Sequence, residues 1–487
     1  MYDMIIIGRD VSSLIAAAAA ANQGLKTLLI TEGEQETEYR DSGYAFPIDP
    51  TPLSGFGYGQ TVSRLLEEFH FSAVDAPKML LMDPALQVIL PDNRVDIFHD
   101  PSHMIADLIR EFPLQEAEIR RLYHAVFKGS SRIERWIGQD SAGHSPNTLH
   151  PALQRIIRLL AAIAGSHTIA LHGSGKNSTL HRVVEAQLAI LSHLDIDGSL
   201  MPFLSAYLLS LPAKGIFYPL GGRKAWLTWL RKQYIASGGE VLDGSSVIRI
   251  DTTSGIIIDI EQNGTSATLH GAALIVSANW EKLNFLLFQR RVFHGVVRRL
   301  GLNRPTGYPF CLHLGVQQDA LPDKMAPYCA VVPDEKKSVR RQNLVFLERS
   351  LPGETDRAPD GKRALTATVF LEESPLVVDD ARLKETAKTI MDSLEPFLPF
   401  LRESIDYVNI EKSIAFARRS QEVVNQKYRL RKYSFLALNT LPPATPLRNV
   451  LLTGGILRAG LGFEGEILAG LDAATGAINA FRRRGRE

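Results

Sequence analysis

At 487 residues the chain is too long for one hydrophobic core and calls for two or three domains. Its 54 basic and 53 acidic residues leave a formal charge of +1, which removes the global field a nucleic-acid partner would demand. A composition of 45% hydrophobic and 22% charged residues is that of an ordinary globular protein. Two cysteines, Cys311 and Cys329, cannot build a disulfide framework and lack metal-ligand spacing, which fits a reducing compartment. Met1 leads straight into a strand with no basic leader, so the expected location is the cytoplasm. No stretch reaches the uncharged apolar length of a membrane span.

Residues 2–7 (Tyr-Asp-Met-Ile-Ile-Ile) read as a strand running into Gly8-Arg9-Asp10-Val11-Ser12-Ser13. A helix carrying six alanines, 16–21, follows and ends at Gly24; a second strand, 26–30, closes on Glu32. This is a dinucleotide-binding βαβ unit, expected to carry G-x-G-x-x-G and an acid about twenty positions on. Gly8 and Glu32 are present, while Asp10 and Ser13 stand at the second and third glycine positions.

Further along, 76–214 reads as helical, because 151–164 and 180–193 place apolar residues at i, i+3, i+4 and i+7. The apolar run 200–211 reads first as a core helix, then as the wall of a greasy substrate tunnel or a peripheral membrane patch. Gly173-Ser174-Gly175-Lys176 glances at a phosphate loop but lacks the required glycine and hydroxyl. The histidines, including His144, His150, His167, His172 and His181, form no i, i+4 pair flanking an acid, so no metal site is expected. A helix at 224–237 precedes strands near 246–250, 256–260 and 267–276, the last two joined by the hairpin signal Asn263-Gly264. Strands at 310–316 and 364–371 and a helix at 381–394 follow. The chain ends on a Gly-rich strand-to-helix turn holding Gly454, Gly455, Gly460, Gly462 and Gly465.

Four pieces in this order resemble the flavin-dependent amine oxidase and phytoene desaturase superfamily, and within it the desaturase and carotenoid isomerase branch. They are 2–8; Tyr218-Pro219-Leu220-Gly221-Gly222; Gly239-Glu240-Val241 with Val247; and Gly454-Gly455 through Gly465-Glu466-Ile467-Leu468-Ala469-Gly470. The resemblance implies an α/β fold: a discontinuous Rossmann-like FAD/NAD(P)-binding domain (1–75, 215–285 and 445–487) plus a mixed α+β substrate domain (76–214 and 286–444). It implies FAD as cofactor, with pyrophosphate on the turn Gly8, Arg9, Asp10, Ser12 and Ser13 and ribose on Glu32. The Val247 backbone would meet the adenine edge, and the flavin end would lie at Gly454, Gly455, Gly462, Glu464 and Gly465. Helix N-termini suit anionic groups at both ends. The implied substrate is hydrophobic and polyprenoid-like, the reaction a desaturation or isomerisation, and the setting cytoplasmic with peripheral contact at the inner face of a membrane.

Three departures bear on the cofactor. Asp10 would face a phosphate, and like charges about 4 Å apart repel by about 1 kcal/mol in water and about 4 at an effective dielectric near 20. Alternatively Asp10 or Ser12 caps the helix itself and occupies the amides a phosphate would use. The loop after Glu32 reads Gly-Glu-Gln-Glu-Thr-Glu where the superfamily has Gly-Gly-basic, which leaves Arg40 as the phosphate contact. Glu464 stands where a proline is usual. These departures motivate a second reading: a cofactor-free lipid- or protein-binding relative, a use to which the Rab GDP-dissociation inhibitors put the same fold. Arg223 and Lys224 read either as cleft residues or as an exposed helix start.

Overall fold

A computed structural model describes residues 1–32, 38–72, 74–141, 178–195, 202–253, 255–277, 305–421, 423–429, 443–445, 447 and 449–484. The helix expected at 151–164, the Gly173–Lys176 loop and most of the acidic loop after Glu32 lie outside them.

Strands β1 (Tyr2–Ile7), β2 (Thr27–Thr31) and β20 (Val450–Thr453) are short apolar runs, and nearly every one of their residues is buried. That is the signature of a parallel sheet covered on both faces. β1 pairs in parallel with β2 and with β13 (Thr265–Ser277), and β10 (Glu240–Asp243) extends the β2 edge. The second half of β13 pairs in parallel with β20, while its first half forms the expected hairpin with β12 (Ile256–Gln262), flanked by β11 (Ser246–Asp251). Both turn residues, Asn263 and Gly264, have positive φ, as a two-residue hairpin of this twist requires.

Helix α1 (Val11–Asn22) is buried on every side from Val11 to Ala21. Its alanines let neighbours come close. It packs on α7 (Gly222–Ala236) and on the last helix α10 (Gly462–Arg484). A Cβ on Gly470 of α10 would stand 2.5 Å from the Ser12 carbonyl, so this crossing needs glycine.

A second, eight-stranded sheet holds β14 (Pro305–Gln317) and β17 (Lys362–Leu371), paired antiparallel from Tyr308–Leu371 to Gln317–Lys362. β18 (Ile405–Val408) and β19 (Lys427–Tyr428) flank β14; β16 (Val345–Arg349) and β15 (Tyr328–Val331) continue beyond β17. Alternate residues Phe310, Leu312, Leu314 and Val316 pack with helices α8 (Asp380–Leu394) and α9 (Ile410–Arg419). The far edge is a correction: 76–214 begins not with helix but with strands β6 (Met79–Leu81), β7 (Leu86–Ile89) and β8 (Arg94–Ile97), of which β7 pairs in parallel with β15. β6 joins β5 (Leu53–Ser54) and β9 (Ile216–Pro219) in a small third sheet, and β3 (Glu38–Asp41) pairs with β4 (Tyr44–Pro47).

Helices α2 (Thr61–Glu68), α3 (Pro101–Glu111), α4 (Glu116–Ser141), α5 (Thr179–Leu191) and α6 (Pro202–Lys214) pack on one another, with α3 on β8, α5 on β7 and β15, and α2 and α4 on α10. Residues 204–212 of α6 are all buried, so the apolar run is a core helix. Cys311 and Cys329 are free and buried. Among the described residues no helix is long and apolar enough to cross a membrane.

Candidate cofactor and substrate cleft

In an open parallel sheet the crevice lies beyond the carboxyl ends of the strands, where the chain turns opposite ways. Here β1 leads to β2 on one side and borders β13 on the other, and a cleft of about 360 Å3 opens at that point. Its walls include Arg9, Asp10, Glu32, Ser277, Gly454, Gly455 and Glu466 on the first sheet, with Tyr308, Arg418 and Arg419 opposite.

The β1–α1 turn is closed by the chain itself. Asp10 is the N-cap of α1, and its Oδ1 accepts the Ser13 amide at 2.7 Å. Its Oδ2 accepts the Ser277 hydroxyl from the end of β13. The capping alternative is therefore the one realised, and both carboxylate oxygens are in use. Arg9 extends along the cleft and donates to the Glu32 carbonyl at 3.0 Å. Ser12 and Ser13 are fully buried in α1, so they line no part of the cleft. Gly8 is required beneath them, because a Cβ there would stand 2.1 Å from the Ser13 hydroxyl.

At the adenosine end, Glu32 and Val247 meet although 215 residues separate them: the Val247 amide donates to Glu32 Oε1 at 2.8 Å. Arg40 does not join them. The β3–β4 hairpin turns it outward, where it pairs with Glu38 on its own strand.

At the other end, β20 runs into a short 3-10 turn (Gly455–Leu461) and then α10. Gly454 has φ 118° and opens the backbone at the cleft wall with Gly455. Gly462 (φ 55°) and Gly465 serve packing: their Cβ atoms would stand 2.1 Å from the Leu191 carbonyl and 2.2 Å from the Arg458 carbonyl. Glu464 is a correction, since it turns away from the cleft into the core, where the Tyr207 hydroxyl donates to it at 2.5 Å. Burial pushes its carboxyl above the usual range.

Below Gly455 lies a buried polar cluster, of which the sequence reading singles out only Arg223, as one of two alternatives. Arg223 of α7 stands 3.6 Å from both Asp49 and Glu466 and stacks on the Phe463 ring. Asn425 bridges the same two carboxyls, donating to Glu466 Oε1 at 2.7 Å and to Asp49 Oδ2. Burial opposes ionisation of Asp49, but Arg223 beside it and Thr51 hydrogen-bonded to it hold its carboxyl below the usual range. Burial pushes Glu466 up to about 8 against the pull of Arg223. His193 lies 3.9 Å from Glu466 Oε1 and is pushed down to about 3 by burial and by Lys427. Near neutral pH the two are thus an acid and a neutral imidazole, not an ion pair. Lys427, lowered to about 8 by burial, donates to the Ser192 carbonyl at 2.5 Å. Lys224, by contrast, is partly exposed and pairs with Glu38.

These features coincide with similarity to proteins of known identity. The chain is 20% identical over 376 residues to a chloroplastic prolycopene isomerase of Daucus carota, which covers 75% of this chain and 60% of the relative. Over 133 residues it is 26% identical to two prolycopene isomerases of an Oncidium hybrid cultivar. The chain is similar to prolycopene isomerases. The matched part spans 22% to 60% of the length of these isomerases. No family model matches. Among solved structures, an oxidoreductase from Methanosarcina mazei superposes with a TM-score of 0.64 at 13% identity, covering 96% of this chain and 98% of that one. Cyclohexylamine oxidase from Brevibacterium oxydans IH-35A gives 0.60 at 15% identity, covering 99% and 100%. The fold is that of these oxidoreductases: a Rossmann-like sheet joined to a second, largely antiparallel sheet.

One signal could have exposed the missed cluster. Arg223 and Glu466 each sit inside or directly beside a segment that resembles the isomerase branch. His193, Asn425, Lys427 and Ser277 carry no local signal at all.

Proposed function

We propose that the chain is an FAD-dependent oxidoreductase of the desaturase or isomerase type acting on a hydrophobic, polyprenoid-like substrate. The observation that carries this reading is the cleft lined at one end by Glu32, which accepts the Val247 amide, and at the other by Gly454, Gly455 and Glu466 of α10. In this reading 1–75, 215–285 and 445–487 form the FAD domain, and 76–214 and 286–444 the substrate domain.

The residues fit FAD at both ends. Glu32 offers a carboxylate to ribose hydroxyls beside the Val247 amide, and Gly454 and Gly455 present backbone without side chains to the cleft wall near the first turn of α10. Arg9 is the cation nearest the phosphate turn on the same wall. Asp10 is the one group that works against a phosphate there. Bound in this cleft, FAD would supply the electron chemistry. The chain's own residues would orient it, exclude water behind Tyr308 and Tyr428, and hold the Asp49–Arg223 pair beneath the ring end.

A hydrophobic substrate is supported by the isomerase relatives and by Leu376, a half-exposed apolar residue on the cleft rim, next to the largely exposed Val377. That rim would suit peripheral contact with the inner face of a membrane by a cytoplasmic protein. Reconstitution with excess FAD followed by gel filtration tests the reading. Bound flavin absorbance is expected, and its absence sinks the proposal.

One observation favours a second reading. Asp10 spends both oxygens on Ser13 and Ser277, so the turn is complete without a ligand. A cofactor-free binding protein would need nothing more, and stoichiometric FAD in the purified protein would exclude it.

A further inference from the structure

We propose that Glu466 and His193 form a proton-transfer pair at the inner end of the cleft, placed to add a proton to a bound conjugated polyene and to remove one. The substrate class rests on the reading above; the pair itself rests on geometry.

Glu466 lines the cleft from the first turn of α10 and is only 3% exposed. Asn425 fixes its Oε1 by a hydrogen bond at 2.7 Å. His193 Nε2 lies 3.9 Å from that same oxygen. Neither ring nitrogen of His193 has a hydrogen-bond partner among the described residues, although the side chain is almost wholly buried. A buried imidazole with both nitrogens unused is costly unless something transient occupies them. Behind it lies a cavity of about 20 Å3 lined by His193, Asn425 and Lys427. A water needs roughly 10–15 Å3 of such space, so the cavity admits one. Separations longer than a hydrogen bond are usual before a ligand is bound and close through one water.

The charged groups around the pair come from every element packed on it. Arg223 on α7 and Asp49 after β4 face both members, Asp10 faces Glu466 from the β1–α1 turn, and Lys427 faces His193 from β19. Tyr428 stands near Glu466, its phenol raised by burial and so neutral. Arg223 and Asp49 offset each other, which leaves burial in command of Glu466 and Lys427 helping burial to keep His193 neutral. A protonated carboxyl beside a neutral imidazole is the ready state for giving up a proton near neutral pH.

The step balances. Glu466 gives its proton to one carbon of a conjugated double bond, and the positive charge spreads along the polyene. The former double bond then turns as a single bond. Loss of one hydrogen from the protonated carbon to the Glu466 carboxylate restores the double bond in its new configuration. No electrons are gained or lost. His193 relays, accepting on one nitrogen and releasing from the other into the cavity behind it. A low proton affinity suits that role, because the ring need not stay charged. Hydrogen from solvent therefore enters the product.

Two measurements on the full chain test this. Infrared spectra across pH should show a buried protonated carboxylic acid at pH 7 that titrates near pH 8 and is missing in Glu466→Gln. A cis-configured carotene in detergent micelles, incubated with protein in deuterium oxide, should be recovered carrying deuterium. That incorporation should fall at least tenfold in Glu466→Gln and several-fold in His193→Phe. Absence of the acid band in the wild type, or undiminished deuterium with Glu466→Gln, overturns the inference. Absence of the band in the wild type overturns the inference with no variant, and Glu466→Asp, which shortens the acid, should shift or remove the Glu466 band while leaving that of the buried Glu464 in place. Flavin absorbance on the same samples judges the cofactor separately. Band and deuterium without flavin support the pair and sink the FAD reading, whereas flavin without band or deuterium does the reverse.

Discussion

The cleft is built from two strand-to-helix turns that solve the same problem differently. The β1–α1 turn satisfies its helix amides with its own Asp10 carboxylate and ties that carboxylate to β13 through Ser277. The β20–α10 turn instead keeps its backbone bare with glycine and packs carboxyls beneath, where Arg223 and Asn425 hold them. A helix N-terminus completed by its own cap and a glycine turn presenting bare backbone thus stand on the walls of one cleft.

Breaking the glycine turn should have the largest effect. In Gly462→Ala the methyl would meet the Leu191 carbonyl at 2.1 Å, and φ of 55° disfavours any side chain. The conformation alone costs about 1–3 kcal/mol, so urea denaturation should show at least that loss, and an unchanged midpoint would refute the account of this turn. At the other turn's third position a side chain is already accommodated, since Ser13 is buried in α1.

A smaller, pH-dependent effect belongs to Glu466. Its folded pKa, about 8, lies above the 4.5 usual for a glutamate, so the native state holds a proton the unfolded state releases. Stability from this group is full below about pH 4.5 and is lost as pH rises toward 8. Glu466→Gln, which cannot ionise, should gain on the wild type by a few degrees in Tm between pH 5 and pH 9. A constant difference across that range would place the carboxyl's titration elsewhere.

Ser277→Ala removes one of two partners from Asp10 but leaves the cap on Ser13. A loss of about 0.5–1.5 kcal/mol is expected by thermal unfolding; a much larger one would make the β13 contact the main support of the turn. Smallest of all, Arg40→Ala should leave FAD affinity unchanged within twofold in a fluorescence titration, because Arg40 is engaged on β3 away from the cleft.

What could be read from the chain follows from how local each signal is. The βαβ unit and the Asn263-Gly264 hairpin are written in neighbouring residues, and the structure returns them within a residue or two. Glu32 and Val247 were legible through motif order despite their separation. The edge of the second sheet was not, because β7 finds β15 some 240 residues later and neither carries a mark of the other. Most of the polar cluster was hidden for the same reason: Asp49, His193, Arg223, Asn425 and Glu466 come from five separate segments, and Asp49, His193 and Asn425 carry no mark of their partners. Arg40 and Glu464 misled because a position within a motif does not tell which way a hairpin or a helix turn points its side chain.

The central claim, a cleft made for FAD and opposed at one point by Asp10, is tested most directly by titrating FAD into the wild type and Asp10→Gly. Removing a charge repulsion of about 1–4 kcal/mol should tighten binding by about fivefold to several hundredfold, while in stability glycine at the cap costs a few tenths of a kcal/mol and the lost Ser277 hydrogen bond about 0.5–1.5 kcal/mol. Saturable binding of one FAD per chain by both proteins, tighter for Asp10→Gly, is the predicted result. No binding by either protein would contradict it.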